Sequence, residues 1–125
     1  MSGITLDTGA LVAFERNDRR VVTAIARALE RKLPIAIPAG VVGQVWRDAR
    51  RQVTLTRLLG SSAIQVEALD DVRARAAGQL CGATGTSDVI DASVVLCARA
   101  RGHSVMTSDV DDLRRLDRAL RLVAV

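Results

Sequence analysis

The chain has 125 residues, 49% of them hydrophobic and 2% aromatic, with two cysteines and a net charge of +4. That length leads us to expect one domain (1–125) with a core that needs no staples, and it leaves no room for a second core. Two cysteines argue weakly against a disulfide framework, and with no membrane-spanning run or charged-then-apolar leader read in the sequence, a soluble cytoplasmic protein is expected.

In chain order, Ile4 to Leu6 reads as a short buried strand ending at Asp7-Thr8-Gly9. A short helix should follow to about Glu15, with Asn17-Asp18 as turn and N-cap. Val22, Ile25, Leu29 and Leu33 fall at helical steps, so they predict the inward face of the next helix, ended by Pro34. Ile35-Ala36-Ile37 reads as a strand. Pro38 suits the start of a helix, where its missing N–H is no loss. That helix is expected to run to about Arg50 with Val42, Val45 and Ala49 inward. A basic connection, a helical piece through Leu59 and a break at Gly60-Ser61-Ser62 lead to a strand at Ile64-Gln65-Val66. Leu69, Val72, Ala76 and Leu80 predict another helical face. Gly82 to Thr86 reads as a linker. It lacks the preceding strand and the following lysine of a phosphate loop. Ser87 or Thr86 is expected to cap an apolar helix from Asp88 to Arg101, stopped by Gly102. A strand at Ser104–Met106, a helix capped at Ser108-Asp109, and a strand over Leu120–Ala124 complete the chain. Alternating strands and helices imply an α/β fold with a mainly parallel sheet covered on both faces.

Three aspartates stand at the ends of these elements. Asp7 closes the first strand, Asp91 opens the apolar helix and Asp109 follows the late strand. In parallel sheets, sites form beyond the carboxyl ends of the strands. Three carboxylates gathered there repel one another unless a cation neutralises them, and hard ions such as Mg2+ or Mn2+ prefer oxygen ligands. Asp7 and Asp109 can also be read as helix N-caps. The set as a whole points to a metal-dependent enzyme acting on a phosphate-containing substrate.

The charge is almost wholly arginine, with Lys32 the only lysine, and the isoelectric point is about 10.4. Arginine forks onto phosphate, so clusters such as Arg16-Arg19-Arg20 and Arg47-Arg50-Arg51 are candidates for RNA binding; solvation of helices is the plainer reading of the same residues. With so few aromatics, backbone contacts rather than base stacking should carry recognition. Cys81 and Cys97 read as reduced core residues. His103, in the turn before a strand, has no evident catalytic partner and reads as a loop residue, and Trp46 should pack at a helix interface.

The segments Leu6-Asp7-Thr8-Gly9-Ala10, Asp91-Ala92-Ser93-Val94-Val95 and Gly102 to Asp109 together resemble those of PIN-domain ribonucleases. The likeness is greatest to the VapC-type toxins of bacterial toxin–antitoxin pairs, and it covers essentially the whole chain. The resemblance implies a three-layer α/β/α sandwich with a mainly parallel central sheet. It also implies a Mg2+- or Mn2+-dependent endoribonuclease, leaving 5′-phosphate and 3′-hydroxyl ends, with a cognate antitoxin and a homodimer. Asp7, Asp91 and Asp109 match the family's metal-binding aspartates, and Thr107 matches the threonine of its threonine-x-aspartate element. Thr107 and Ser108 are candidates for holding a phosphate or a water.

The departure is Gln44, a neutral amide where the family usually has a glutamate on the helix after the second strand. It can offer an oxygen but adds no charge. Asp88, three residues before Asp91, can compensate or can simply face the helix dipole. Asp48, four after Gln44, can do the same or be a solvated surface acid. The alternative function is accordingly a catalytically silent PIN-like module that binds RNA or protein. A phosphate-transfer regulator is a third option, disfavoured because Lys32 ends a helix away from the aspartates.

Overall fold

The computed structural model describes residues 2–125. Five strands form one sheet: β1 (Ile4–Leu6), β2 (Ile35–Pro38), β3 (Ile64–Glu67), β4 (Ser104–Thr107) and β5 (Leu122–Ala124). All pairings are parallel and the spatial order is β3-β2-β1-β4-β5. The three inner strands are buried along their whole length. That is why they show no alternation of apolar and charged residues, although Thr5, Ser104 and Thr107 are buried polar residues within them. Seven helices cover both faces: α1 (Thr8–Glu15), α2 (Arg19–Glu30), α3 (Ala39–Val45), α4 (Val53–Leu59), α5 (Asp71–Thr84), α6 (Val89–Arg101) and α7 (Val110–Leu116). The result is a three-layer α/β/α sandwich. Helix α6 is its most buried helix, with Ala92, Ser93, Val94, Val95, Cys97 and Ala98 all inside. Among the described residues no single helix is long and apolar enough to cross a membrane.

The order of the strands positions the site. The chain moves outward from β1 through β2 to β3, then returns to the other side of β1 with β4 and β5. Strand order therefore reverses between β1 and β4, and a crevice opens beyond their carboxyl ends. Asp7 follows β1 and Asp109 follows β4 at that place. The Asp7 amide donates to the Met106 carbonyl at 3.2 Å, extending the ladder to the aspartate itself. Gly9 allows the two loops to meet: a Cβ there would lie 1.7 Å from Ser108 Oγ.

Several sequence expectations shift. In α2 the buried face is Val21, Ile25 and Ala28, whereas Val22, Leu29 and Leu33 are only half-buried. In α5 it is Ala77 and Cys81, and Val72 is 78% exposed. Both helices carry apolar residues on more than one stripe, so more than one set matched helical spacing. Helix α3 ends at Val45 rather than near Arg50, and Val41 rather than Val42 faces the core with Val45. Its end is enforced by Gln52. The Oε1 atom accepts from the Arg47 and Asp48 amides at 2.7 and 2.9 Å. The Nε2 group donates to Glu15 Oε2 and the Val45 carbonyl at 2.7 and 2.9 Å. These bonds satisfy the backbone in a loop, so Ala49 is exposed. Helix α5 extends to Thr84, and the linker shrinks to a left-handed Gly85 cap and three residues. The N-cap of α6 is Asp88, not Ser87 or Thr86. The two cysteines are free and buried. His103 does lie in the turn before β4, but it is 5% exposed, with Nδ1 3.1 Å from the Thr5 hydroxyl. Burial lowers its pKa, with help from the nearby Arg101 charge, so it is a neutral packing residue.

Candidate metal centre

Asp91 sits in the first turn of α6, Asp109 just before α7, and Asp112 in the first turn of α7. Their carboxylate oxygens lie within 4.8 Å of one another. Asp112 went unremarked in the sequence. Its signal was there, since it stands three residues after Asp109 just as Asp91 stands three after Asp88. Asp7 is not part of this triple, but it borders it closely enough for its charge to act on Asp91 and Asp109.

Asp7 is 3% exposed, and Oδ1 accepts from the Ala10 amide at 2.8 Å, capping α1. Burial raises its pKa against the opposing pull of Thr107 and of the Ala10, Ser108 and Gly9 amides. So one oxygen holds the helix while the group stays at the mouth of the crevice, and the capping and site readings coexist. Asp109 behaves differently. It stands at the start of α7 yet makes no side-chain capping bond. Thr107 Oγ1 instead accepts from the Asp109 amide at 2.8 Å and fixes the turn, which leaves the Asp109 carboxylate to the cluster. The Asp109 pKa is raised by desolvation, by a hydrogen bond shared with Asp112, and by the charges of Asp112, Asp7 and Asp111.

Asp91 is the most perturbed of the set, with a pKa raised to about 7. Burial is the largest cause, followed by the charges of Asp88, Asp109, Asp7 and Asp112. Asp88 contributes as the α6 N-cap, accepting from the Asp91 amide at 2.9 Å. Every charge that acts on the Asp91 pKa is an acid's, so the native fold leaves this carboxylate short of positive charge. That is what a hard divalent cation would supply, and an all-carboxylate oxygen set suits Mg2+ or Mn2+.

Gln44 lies on the exposed side of α3 and accepts a hydrogen bond from Thr8 Oγ1. This places it against the residue after Asp7, at the rim of the crevice. Asp48 lies past the end of α3, where Oδ2 meets Arg51 Nε at 3.8 Å, so it is a surface acid and shares no helical face with Gln44. Ser108 is exposed against Gly9. Of the candidate RNA-binding arginines, Arg47 folds back to donate to the Gly43 and Trp46 carbonyls at 3.1 and 2.7 Å. Arg51 is tied loosely to Asp48. Arg50 and Arg19 are exposed, and Arg16 lines a surface hollow with Gly9 and Ser108 beside the crevice. Trp46 is half-buried against the core.

A cavity of about 230 Å3 adjoins the carboxylates, lined by Thr86, Ser87, Asp88, Asp91, Asp112 and Arg115 among others. Arg115 is the residue of this region that sequence reading passed over, because it was one arginine among many.

The model of the PIN domain matches residues 4–119, and the chain belongs to that family. No match was found among curated protein sequences. Solved structures share the fold at low identity. One is a chain of a toxin–antitoxin complex from Klebsiella pneumoniae, with a TM-score of 0.70 and 18% identity, covering 98% of this chain and 97% of that one. A second is a chain of VapBC2 from Rickettsia felis bound to a promoter DNA fragment, with a TM-score of 0.71, 14% identity and 98% of both chains covered. A third is a chain of FitAcB from Neisseria gonorrhoeae, with a TM-score of 0.63, 16% identity and 95% of both chains covered.

Proposed function

We propose that the chain is a metal-dependent endoribonuclease acting in the cytoplasm as the toxin of a type II toxin–antitoxin pair, a single domain held in check by a cognate antitoxin. The observation that carries the enzymatic part is the cluster of carboxylates, met by only one loosely held arginine, at the strand-order reversal of a PIN domain. The toxin part is supported by the likeness over nearly full length to chains from toxin–antitoxin complexes. The homodimer stays with this proposal as an expectation of the resemblance.

In this reading Asp91, Asp109 and Asp112 hold Mg2+ or Mn2+, and Asp7 borders them with the oxygen that capping does not use. When bound, the cation would supply Lewis acidity for in-line attack of water on an RNA phosphodiester and would offset charge on the phosphoryl oxygens. The residues of the chain do the rest. Thr107 fixes the turn that presents Asp109, and Asp88 fixes the first turn of α6 that presents Asp91. Ser108, Gly9 and Gln44 form the rim against which the RNA backbone lies. Exposed arginines such as Arg16, Arg19 and Arg50 draw the polyanion toward a pocket that would otherwise repel it.

The silent-module reading rests on Gln44, which brings no carboxylate from α3. Asp112 weakens that reading, because α7 provides a further acid to the cluster. The deciding experiment is incubation of the purified, antitoxin-free chain with total cellular RNA, with Mg2+ or Mn2+ and with chelator, followed by mapping of the 5′ ends. Discrete metal-dependent cuts support the enzyme. Intact RNA under every metal condition would leave the binding module as the better account.

A further inference from the structure

The cavity beside the carboxylates is of mixed character. Three carboxylates line it: Asp91 and Asp112, which it shares with the cluster, and Asp88. The turn Gly85-Thr86-Ser87, between α5 and α6, lines the same cavity, and so does Arg115, on the Asp112 side. The turn is built to stay open. Gly85 closes α5 at φ 70°, and the Thr86 amide is tied to the Cys81 carbonyl at 3.1 Å. A Cβ at Gly85 would meet nothing within 4 Å, so this wall leaves space in front of it. Thr86 is half-buried and Ser87 is exposed at the edge.

Arg115 stands one turn after Asp112, so both side chains lie on one face of α7. Yet Arg115 Nη1 and Asp112 Oδ1 are 3.9 Å apart, and the side chains are 71% and 50% exposed. At that separation and exposure the pair is a loose contact that contributes little. The guanidinium is therefore available to a ligand without breaking a buried bond. Its fork of donors suits phosphate oxygens, and hydroxyl-bearing residues suit phosphate or ribose. No aromatic side chain lines the cavity, so a base has no stacking platform there.

We propose that this cavity is a subsite for the nucleotide next to the scissile phosphate of single-stranded RNA. Arg115 donates to the flanking phosphate, and Thr86 and Ser87 provide the hydroxyl-bearing part of the lining. The inference rests on the nuclease reading for which phosphate lies over the carboxylates. It goes beyond that reading in giving the substrate a direction across the site, from the cluster toward the α5–α6 turn. It also makes Arg115 a binding residue rather than a counter-charge.

The test is the affinity of the intact chain for a fluorescein-labelled 12-nucleotide single-stranded RNA, followed by anisotropy in Ca2+ buffer, with a gel to show the RNA uncut. Arg115→Ala should weaken binding about tenfold, and it should lower the slope of log affinity against log salt by about one. Arg115→Lys should recover part of the affinity, and the exposed Arg118→Ala should change it little. A Mn2+ calorimetric titration separates the rival role. If Arg115 only balances Asp112, Arg115→Ala tightens Mn2+ and leaves RNA affinity unchanged, which overturns the proposal. Equal losses in Arg115→Ala and Arg118→Ala would also overturn it, because the effect would then be general charge. Failure of the wild type to cut RNA in Mg2+ or Mn2+ is a different result: it removes the nuclease reading, while a selective loss of RNA binding in Arg115→Ala would still place RNA in this cavity.

Discussion

An acid lies at each end of helix α6, Asp91 in its first turn and Glu67 of β3 beside its last, and the two ends treat them in opposite ways. At its carboxyl end Arg101 Nη1 meets Glu67 Oε1 at 2.7 Å, and Arg73 Nη2 meets the same oxygen at 3.1 Å. That carboxylate is held between two cations, although Oε2 is buried without a partner. Around it lie Cys97, whose thiol is pushed up to about 11, mainly by burial, and the Thr5–His103 pair. At the amino end the charges acting on Asp91 are those of other acids, and its pKa is raised to about 7. One fold thus satisfies a buried charge where packing is the purpose and leaves another in conflict at the crevice. Such local conflict is expected where a ligand completes the arrangement.

The comparison breaks most visibly in activity. Asp91→Asn keeps the shape and removes a charge, so metal-dependent cleavage of RNA should fall by about 100-fold or more, while circular dichroism stays native. Full activity in that variant would detach the cluster from the chemistry.

The opposite end should answer in stability. Arg101→Ala leaves Glu67 with Arg73 alone, at an expected cost of about 1–3 kcal/mol, read as a lower urea midpoint. Cleavage per folded molecule should be unchanged. A drop in activity without a drop in stability would mean that the two ends of α6 are not separate.

pH sharpens the contrast further. Between the ordinary carboxylate range and about 7, native Asp91 holds a proton that the unfolded chain has released. Its contribution to stability is therefore fully present below the unfolded pKa and is lost as pH rises through about 7. Without metal, the melting temperature should fall from pH 5 to pH 8. Mn2+ should bind more tightly over the same range, as the carboxylate becomes free. Asp91→Asn should flatten the melting trend, and an unchanged trend in that variant would mean that another group causes it.

Smaller effects belong to the rim. Gln44→Glu keeps the acceptor for Thr8 and adds a charge, so Mn2+ affinity should rise by roughly tenfold or less; equal affinity by calorimetry would place Gln44 outside the field of the cation. Neutralising Arg47, Arg50 and Arg51 together should lower the salt slope of RNA binding by only about one. Arg47 is committed to carbonyls and Arg51 is near Asp48. A drop of about three would show that all three reach the RNA.

The sequence alone was enough for the order of strands and helices, for the family, and for the positions of Asp7, Asp91 and Asp109. Buried parallel strands are short, mostly apolar and free of charged residues, and helix boundaries carry their own chemistry at Asp18, Pro38 and Gly102. Which stripe of α2 or α5 turns inward was decided by tertiary packing, because both helices carry apolar residues at more than one helical spacing. The end of α3 was decided by Gln52, whose side chain bonds to atoms up to 37 positions away. That shortening removed Asp48 from the face of Gln44. Asp112 and Arg115 joined the crevice for a similar reason. Only the angle at which α7 leaves β4 determines which of its many charges face Asp91, and local spacing does not encode that angle.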